Sequence, residues 1–181
     1  MRITSGKFRG LKLKSPKGPG IRPMMDRVRK SLFDALGPKV VEARVLDLFC
    51  GTGALGLEAL SRGAKEVVFV DQSAKALALV RANLARARLS EGYILLRLSL
   101  PRGLAKVFPY GPFGIIFLTP PYGRGLAEKL LPLLPDLLVP GGLLVVEERV
   151  GLVLPQVPRL ELTNQKKIGQ TELFFWRRED E

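Results

Sequence analysis

Apolar runs of strand length alternate with helical patterns along most of the chain after Pro38. The runs that are apolar at nearly every position are 44–49, 66–71, 93–98, 114–119 and 141–149. Between them lie helical patterns at 54–63, at 74–89 and, interrupted by prolines, at 125–138, with a short helix around Leu104. Continuously apolar strands separated by helices indicate a parallel sheet that is covered on both faces. We therefore predict an α/β fold with a mainly parallel sheet.

The end of the chain changes to alternating polar and apolar positions. Segments 159–165 and 171–178 have this pattern, and Lys166, Lys167 and Gly169 lie in the connection between them. Alternation around a short glycine-containing connection is typical of a β-hairpin. We expect this antiparallel C-terminal hairpin to close the sheet.

The first 37 residues have a different character from the rest. Residues 1–14 contain Gly6 and Gly10 as turn points, which suits a small hairpin, and a link rich in proline and glycine follows at 15–23. From Asp26 apolar side chains recur at helical spacing until Gly37, so we predict an amphipathic helix with a glycine stop. Residues 1–37 are thus predicted to be an N-terminal extension, and residues 38–181 the main domain.

Charge and composition narrow the possible functions. The net charge is +12, and residues 1–30 carry ten basic side chains against Asp26 alone, which favours a polyanionic partner. One cysteine and no histidine exclude a disulfide, a zinc cluster and histidine-based catalysis, so we predict no metal. No apolar stretch approaches membrane-spanning length, and we expect a soluble, cytoplasmic protein without a membrane partner. A monomer is expected, although the sequence leaves the oligomeric state open.

A glycine-rich loop joins the first predicted strand to the first helix of the main domain. Gly51, Gly53 and Gly56 lie in this loop and helix start, and Asp71 ends the next strand. Glycines let the backbone approach a ligand closely, the helix N-terminus offers free amide donors, and Asp71 is placed to hold two ribose hydroxyls. This arrangement predicts a nucleotide-type site. Phe49, Cys50, Thr52 and Gln72 are expected to complete it, with Cys50 as a small loop residue rather than a nucleophile.

Two cofactors fit this loop, a nicotinamide dinucleotide and S-adenosylmethionine. Asp47 stands at the end of the first strand, four residues before Gly51. Its carboxylate can orient the loop and attract the cationic methionyl part of S-adenosylmethionine, whereas it would repel a dinucleotide pyrophosphate. Methyl transfer is therefore the favoured chemistry.

The strand at 114–119 ends in the sequence Thr119-Pro120-Pro121-Tyr122. Proline cannot donate to a sheet ladder, so this corner can be a simple strand stop. In the expected strand order, however, it faces the same crevice as the glycine loop. There the prolines would hold carbonyls toward an incoming base, and Tyr122 could stack on that base. Methylation of an exocyclic amine needs such acceptors for the amine protons, so these four residues are the predicted catalytic corner.

Four segments together resemble the bacterial small-subunit ribosomal RNA guanine-N2 methyltransferases (RsmD-type). They are MRITSGKFRG, RPMMDRVRKSLFDALG, LDLFCGTGALGLEALSRGA and TPPYGRG, and they follow the family order over nearly the whole chain. The resemblance implies a Rossmann-like class I methyltransferase fold with seven strands. It also implies S-adenosylmethionine as the methyl donor and one guanine of 16S rRNA, free or in the small ribosomal subunit, as the acceptor.

The sequence departs from the family pattern at two positions. Relatives usually carry Asp or Asn where Thr119 stands, and a carboxylate is a stronger acceptor than a hydroxyl. Thr119 can still accept one amine proton through Oγ1, with the Pro120 carbonyl accepting the other. Relatives also place Asp or Asn near Ser99 to accept from the adenine amino group, so Ser99 joins the predicted cofactor-binding residues as a weaker acceptor.

The basic N-terminal segment is predicted to bind RNA. Apolar side chains such as Phe8 and Leu13 are interleaved with the cations, which indicates that the segment is partly ordered. Arg22 and Arg27 are expected beside the cofactor entrance, where they would steer the rRNA. The predicted RNA-binding residues are Lys7, Arg9, Lys12, Arg22, Arg27 and Arg29.

Two other functions remain open from the sequence. One is a DNA methyltransferase that acts on adenine N6 or cytosine N4 with the same corner. The other is a catalytically weakened rRNA-binding protein that retains the fold. A nicotinamide oxidoreductase is disfavoured because no residues are left to build a substrate domain.

Overall fold

The computed structural model describes residues 1–18 and 24–180, and it places seven strands of this part of the chain in one sheet. In chain order the strands are β1 (Arg44–Leu48), β2 (Glu66–Asp71), β3 (Tyr93–Arg97), β4 (Phe113–Leu118), β5 (Leu138–Arg149), β6 (Leu160–Ile168) and β7 (Thr171–Arg178). Their spatial order is β3-β2-β1-β4-β5-β7-β6. The first five strands are parallel, and β7 runs antiparallel between β5 and β6. The predicted α/β fold with a closing antiparallel hairpin is confirmed.

Helices and short 3-10 turns connect the strands. The α-helices are α1 (Asp26–Leu36), α2 (Ala54–Ser61), α3 (Ala74–Arg86) and α4 (Leu126–Leu130). The 3-10 turns are Gly37–Val40, Leu104–Tyr110, Leu131–Leu133 and Pro135–Leu137. The predicted helix at 125–138 is thus divided into α4 and two turns, because Pro132 and Pro135 have no backbone N–H to continue a helix. In the described part of the chain no helix has the length and apolar character that a membrane crossing requires.

The central strands are buried on both faces of the sheet. On β4, Ile115 and Phe117 pack into the cluster that contains α1, α2 and α3, while Ile116 and Leu118 pack into the cluster that contains α4 and the neighbouring turns. Burial on both sides explains why these strands are apolar at consecutive positions. The strand order reverses at β1, which lies between β2 and β4, and such a switch point leaves a crevice at the carboxyl ends of the strands.

Residues 1–14, called the arm below, fold back on themselves and pack against α1, α2 and α3. The arm contains only the isolated bridge between Arg2 and Lys12, so it is a looped pair of extended segments rather than the regular hairpin expected. Ile3 and Leu13 are 1% and 3% exposed and belong to the same apolar cluster as α1 and α2. The arm therefore contributes to the core of the fold.

The carboxylate of Glu58, on α2, anchors the arm. It is fully buried and accepts hydrogen bonds from the backbone N–H groups of Thr4 (3.0 Å) and Ser5 (3.1 Å) and from the Thr4 hydroxyl (2.8 Å). Arg29 and Arg62 each donate through Nε at 3.0 Å. Burial by itself would raise the pKa of Glu58, but these donors together lower it below its ordinary value. Glu58 is therefore ionised at neutral pH and links α1, α2 and the arm.

The arm makes its closest approach to α2 at Gly6. This residue has φ +87°, and a Cβ placed on it would lie 2.0 Å from the Ser61 carbonyl oxygen. Ser61 ends α2, and its carbonyl and hydroxyl accept the backbone N–H groups of Lys7 and Phe8, both at 2.9 Å. The Ser61 hydroxyl also donates to the Ser5 carbonyl at 2.7 Å. Only glycine allows this backbone to come so close with a left-handed conformation.

Substitution of Gly6 should loosen the arm much more than substitution of Gly10. Gly10 has φ +84°, and a Cβ placed on it meets no atom within 4 Å, so both alanine variants carry similar backbone strain. Gly6→Ala must also separate the arm from Ser61, and we expect it to lower the free energy of unfolding by about 1 to 3 kcal/mol more than Gly10→Ala. Urea unfolding of both variants measures the difference. Equal losses would contradict the close packing at Gly6.

Candidate active site

The loop between β1 and α2 lies in the crevice at the carboxyl ends of β1, β2 and β4. It is fixed by two backbone bonds, from Cys50 N–H to the Val70 carbonyl at 3.0 Å and from Gly53 N–H to the Cys50 carbonyl at 2.9 Å. Gly53 precedes α2 with φ +83°, and Phe49 has φ +60°, which is uncommon for a residue with a side chain. Backbone strain of this kind is concentrated at ligand sites. The loop thus reaches the N-terminus of α2 with most of its own amides bonded inside the protein.

Asp47 is a fully buried carboxyl group beneath this loop. Its Oδ2 accepts the backbone N–H of Gly56 at 3.1 Å, while its Oδ1 has no hydrogen-bond partner among the described residues. Burial raises the pKa of Asp47 to about 8; the Gly56 N–H opposes this rise and the charge of Asp71 adds to it. A buried oxygen without a donor gives the site an unmet preference for a cationic or hydrogen-bond-donating group.

Three further predicted cofactor residues lie together at the ends of β2 and β3. Asp71 accepts the backbone N–H of Gly51 at 3.0 Å through Oδ2 and that of Ser73 at 2.9 Å through Oδ1. Gln72 accepts a bond from the Ser99 hydroxyl at 3.3 Å. The Asp71 carboxylate is therefore oriented by the loop, and its remaining lone pairs can accept from a ligand.

Cys50 and Thr52 are parts of the loop wall. Both are buried, and burial raises the pKa of the Cys50 thiol well above its ordinary value, with the charges of Asp47 and Asp71 adding to the rise. A thiol with a raised pKa is a poor nucleophile, which agrees with the expectation of a small loop residue. The Thr52 hydroxyl lies 3.9 Å from the sulfur of Met1, so the arm reaches the loop.

The proline corner follows β4 directly beside the end of β1. The Thr119 hydroxyl lies 3.3 Å from the Leu48 carbonyl oxygen and 3.4 Å from that of Phe49, and it donates its proton to them. Its lone pairs remain available to accept a bond. Pro120 is buried and Pro121 is exposed. The corner and the glycine loop therefore meet at the switch point of the sheet.

Tyr122 is held at the corner by a contact to β5. Its hydroxyl lies 3.0 Å from Oε1 of Glu147 and donates to it, and the hydroxyl of Thr171, on β7, lies 3.3 Å away. Fixing the polar end of the side chain fixes the direction in which the side chain extends. The ring is thereby positioned at the end of the sheet next to Thr119.

A cavity of about 370 Å³ lies beside the corner. Gly123, Gly125 and Glu128 line one side of it, and Glu148 and Arg149 at the end of β5 line the other. Glu148 is only 5% exposed, and burial raises the pKa of its carboxyl group, with the nearby charge of Glu128 adding to the rise. The volume is within the range of about 300 to 1,000 Å³ that is common for sites of small organic groups.

The predicted RNA-binding residues have different positions in the structure. Lys7, Arg9 and Lys12 are exposed on the arm. Arg27 is exposed on α1, with Nη2 3.0 Å from the position of a Cβ on Gly169 in the β6–β7 turn. Arg22 is not among the described residues.

The expectation that Arg29 contacts RNA is wrong for this structure. Its side chain is fully buried and ion-paired with Glu58, and it also donates to the Arg2 carbonyl and to Asp26. A guanidinium whose donors point into the protein has no surface to offer to a phosphate. The helical pattern had placed Arg29 beside exposed cations, and the docking of the arm onto α1 buried it.

Sequence reasoning missed two buried polar residues of this region, Glu58 and Asn83. Glu58 is the one charged residue in the otherwise apolar sequence ALGLEALS of α2. Asn83 lies on the buried face of α3, among Ala76, Leu77, Val80 and Leu84. A polar residue at an apolar position was the available signal, because such a residue needs a partner inside the protein.

Comparison with known proteins agrees with this architecture. Residues 1–177 match the family described as conserved hypothetical protein 95. Ribosomal RNA small subunit methyltransferase D of Escherichia coli (strain K12) is 37% identical over 182 residues, which cover 99% of this chain and 90% of that protein.

Two solved structures are also similar. The Escherichia coli protein yhhF covers 100% of this chain and 99% of its own, with 36% identity and a TM-score of 0.86. An RNA methyltransferase from Salinibacter ruber, in complex with S-adenosyl-L-homocysteine, shares the fold at 17% identity, with a TM-score of 0.69 over 88% of this chain and 95% of that one. The chain therefore belongs to the conserved hypothetical protein 95 family, which it shares with ribosomal RNA small subunit methyltransferase D, and it is a methyltransferase with a Rossmann-like fold.

Proposed function

We propose that this protein transfers a methyl group from S-adenosylmethionine to the exocyclic N2 amine of a guanine in 16S rRNA. The observation that carries the proposal is the contact of the corner with the end of β1 and the loop after it, in which the Thr119 hydroxyl lies 3.3 Å from the carbonyl oxygen of Leu48 and 3.4 Å from that of Phe49. This contact joins an amine-accepting corner to a nucleotide-type loop across two neighbouring strands. The name of the Escherichia coli relative supports rRNA as the substrate class.

The buried acids fit S-adenosylmethionine as the cofactor. Asp47 has an oxygen without a partner among the described residues, and a cationic group near the loop would satisfy it. Asp71 would accept the ribose hydroxyls, and Gln72 and Ser99 would line the adenine side. When bound, S-adenosylmethionine supplies a methyl group that its positive sulfur activates for transfer.

The corner residues would orient the acceptor amine. The Thr119 hydroxyl, whose own proton is directed to the β1 carbonyls, can accept one amine proton, and the Pro120 carbonyl can accept the other. Holding both protons directs the nitrogen lone pair out of the plane of the base and excludes water from the amine. Pro121 stiffens this backbone, and the ring of Tyr122, whose hydroxyl is held by Glu147, offers a stacking surface for the base.

The cavity beside the corner supports guanine over the alternative bases. Leu118, the last paired residue of β4, lies beside Val146, two residues before Glu148 on β5, and Glu148 lines the cavity together with Gly123 and Gly125, which follow the corner. The Glu148 carboxyl group can accept the N1–H of guanine. Adenine N1 and cytosine N3 have no proton to donate, so the same group would disfavour the two DNA substrates.

The N-terminal segment is the proposed RNA-binding extension, residues 1–37, and residues 38–181 are the proposed catalytic domain. Support comes from the exposed cations Lys7, Arg9, Lys12 and Arg27, which can contact phosphates. Such contacts would hold 16S rRNA, free or in the small ribosomal subunit, at the mouth of the crevice. The expected location is therefore the cytoplasm, where that substrate is made.

Methyl transfer to three substrates tests this function. We expect the protein to label unmethylated small subunits or naked 16S rRNA from radioactive S-adenosylmethionine, and nuclease digestion to yield the label as N2-methylguanosine monophosphate. Duplex DNA should remain unlabelled. Label in DNA alone would contradict the proposal in favour of a DNA methyltransferase. Tight binding of subunits without any transfer would indicate an rRNA-binding protein that retains the fold.

The hydroxyl of Thr119 should control the rate of transfer. Thr119→Ala removes one acceptor of the amine and is expected to lower kcat by about 10- to 100-fold. Thr119→Asp supplies a stronger, charged acceptor and should raise kcat above that of the parent protein. Thr163→Ala is the matched control, because the Thr163 hydroxyl bonds the Phe175 carbonyl at 3.1 Å on β7, outside the proposed site. An unchanged kcat in Thr119→Ala would exclude a catalytic corner.

The stability of the cofactor-free protein should depend on pH through Asp47. Its pKa is about 8 in the folded protein and about 3.9 in an unfolded chain, so between these values the folded protein holds a proton that the unfolded chain has lost. Asp47 therefore destabilises the fold progressively as the pH rises from 4 to 8. Asp47→Asn removes this dependence.

Urea unfolding at pH 5 and at pH 8 measures the effect. The free energy of unfolding of Asp47→Asn, relative to that of the parent, should increase by at least about 1.4 kcal/mol from pH 5 to pH 8, the equivalent of one pKa unit. Asp136→Asn is the control, since Asp136 is an exposed partner of Arg159. A pH-independent difference for Asp47→Asn would show that the Asp47 carboxyl group is ionised in the fold.

A further inference from the structure

We infer that Asn83 is a positioning residue that couples the arm to the cofactor loop, so that RNA bound at the arm and cofactor bound at the loop strengthen one another. The inference rests on the proposed function, in which the arm binds rRNA and the loop binds S-adenosylmethionine. The two regions are separate in sequence, because the arm ends at residue 14 and the loop lies between β1 and α2.

The amide of Asn83 bonds both regions at once. Its Oδ1 accepts the backbone N–H of Lys14 at 2.7 Å, and its Nδ2 donates to the Lys14 carbonyl at 3.3 Å. The same Nδ2 donates to the carbonyl of Thr52, in the loop, at 3.0 Å. One rigid side chain on α3 therefore connects the end of the arm to the middle of the loop.

Asn83 is buried, so its amide depends on these bonds for its hydrogen-bond partners. The residue is fully buried on the apolar face of α3, where an unpaired amide would destabilise the fold. Displacement of Lys14 or of Thr52 would leave part of the amide unsatisfied. The position of the arm and the conformation of the loop are consequently linked through one group that is satisfied only when both are in place.

A second contact joins the other segment of the arm to the same loop residue. The sulfur of Met1 lies 3.9 Å from the Thr52 hydroxyl, and the Met1 carbonyl accepts the backbone N–H of Leu13 at 2.9 Å. The two segments of the arm thus reach Thr52 as a pair, and each restrains the other.

The cations on this part of the arm face solvent while their backbone is held. Lys12 and Lys14 are exposed, and Arg86 of α3 donates through Nε to the Lys12 carbonyl at 2.9 Å. Phosphates bound by these lysines would restrain the backbone that Asn83 holds. The loop, which is linked to this backbone through Asn83, then loses less conformational entropy when the cofactor binds. A smaller entropy loss raises the affinity for the cofactor, which is positive coupling.

Coupling of this kind is reciprocal and typically changes affinity by about 5- to 150-fold. The affinity for S-adenosylhomocysteine, a cofactor product without a transferable methyl group, is measured by calorimetry with and without saturating protein-free 16S rRNA. For the full chain, rRNA should tighten binding of S-adenosylhomocysteine by about 5-fold or more. In Asn83→Ala the affinity for S-adenosylhomocysteine should be the same with and without rRNA, so the ratio of the two values should be near one.

Two further variants make the result specific. Arg86→Lys retains the charge but loses the Nε bond to the arm, and because it does not touch the loop it should retain the coupling. Asn83→Asp keeps the acceptor for the Lys14 N–H and loses the Nδ2 donor to the carbonyls of Thr52 and Lys14. It should therefore lose the coupling, and it replaces Asn83→Ala in the test if thermal unfolding shows that the alanine variant does not fold.

Four outcomes would overturn the inference. Persistent coupling in the Asn83 variants would show that another contact carries the coupling. An equal loss of coupling in Arg86→Lys would show that any loosening of the arm has the same effect. Independent binding of both ligands to the parent protein would exclude coupling but leave the proposed function intact. Failure of the parent to bind either ligand would overturn the proposed function and this inference with it.

Discussion

The buried carboxylate of Glu58 is the interaction on which the N-terminal half of this structure depends. An ionised carboxylate inside a protein is costly unless donors surround it, and here the donors come from the arm, from α1 and from the end of α2. The three parts are held together because each satisfies the same group. The arm is therefore built into the core, and its exposed lysines are presented on a fixed backbone.

The active site arises from the ends of neighbouring strands rather than from one segment. β1 lies between β2 and β4, so the loop after β1 is flanked by Asp71 on one side and by Thr119 on the other. The parallel direction of these strands brings all three ends to one edge of the sheet. Asn83 and Met1 connect this edge of the sheet to the arm. One boundary of the site is therefore formed by the arm, which begins more than forty residues earlier in the chain than the loop.

Local patterns accounted for most of the fold. The strand at 114–119 is observed as Phe113–Leu118, because burial on both faces leaves a continuous apolar run. The helix at 26–37 is observed as Asp26–Leu36, because burial of one stripe leaves a helical periodicity. The strand predicted at 141–149 begins earlier, at Leu138, and the one predicted at 159–165 ends later, at Ile168. These ends are set by pairing with β4 and β7, which no local pattern contains.

The sequence by itself determined the order of strands and helices, the glycine loop, the proline corner and the basic character of the first thirty residues, since each is written in consecutive residues. Only the tertiary structure decided which polar groups turn inward. Arg29 is buried while its neighbour Lys30 is exposed. Glu58 and Asn83 are enclosed with partners that include Arg29 and Lys14, each more than twenty-five residues away in the chain. Burial depends on which distant surfaces dock together, and a charged or amide side chain has the same sequence signature whether its partner is water or another part of the chain.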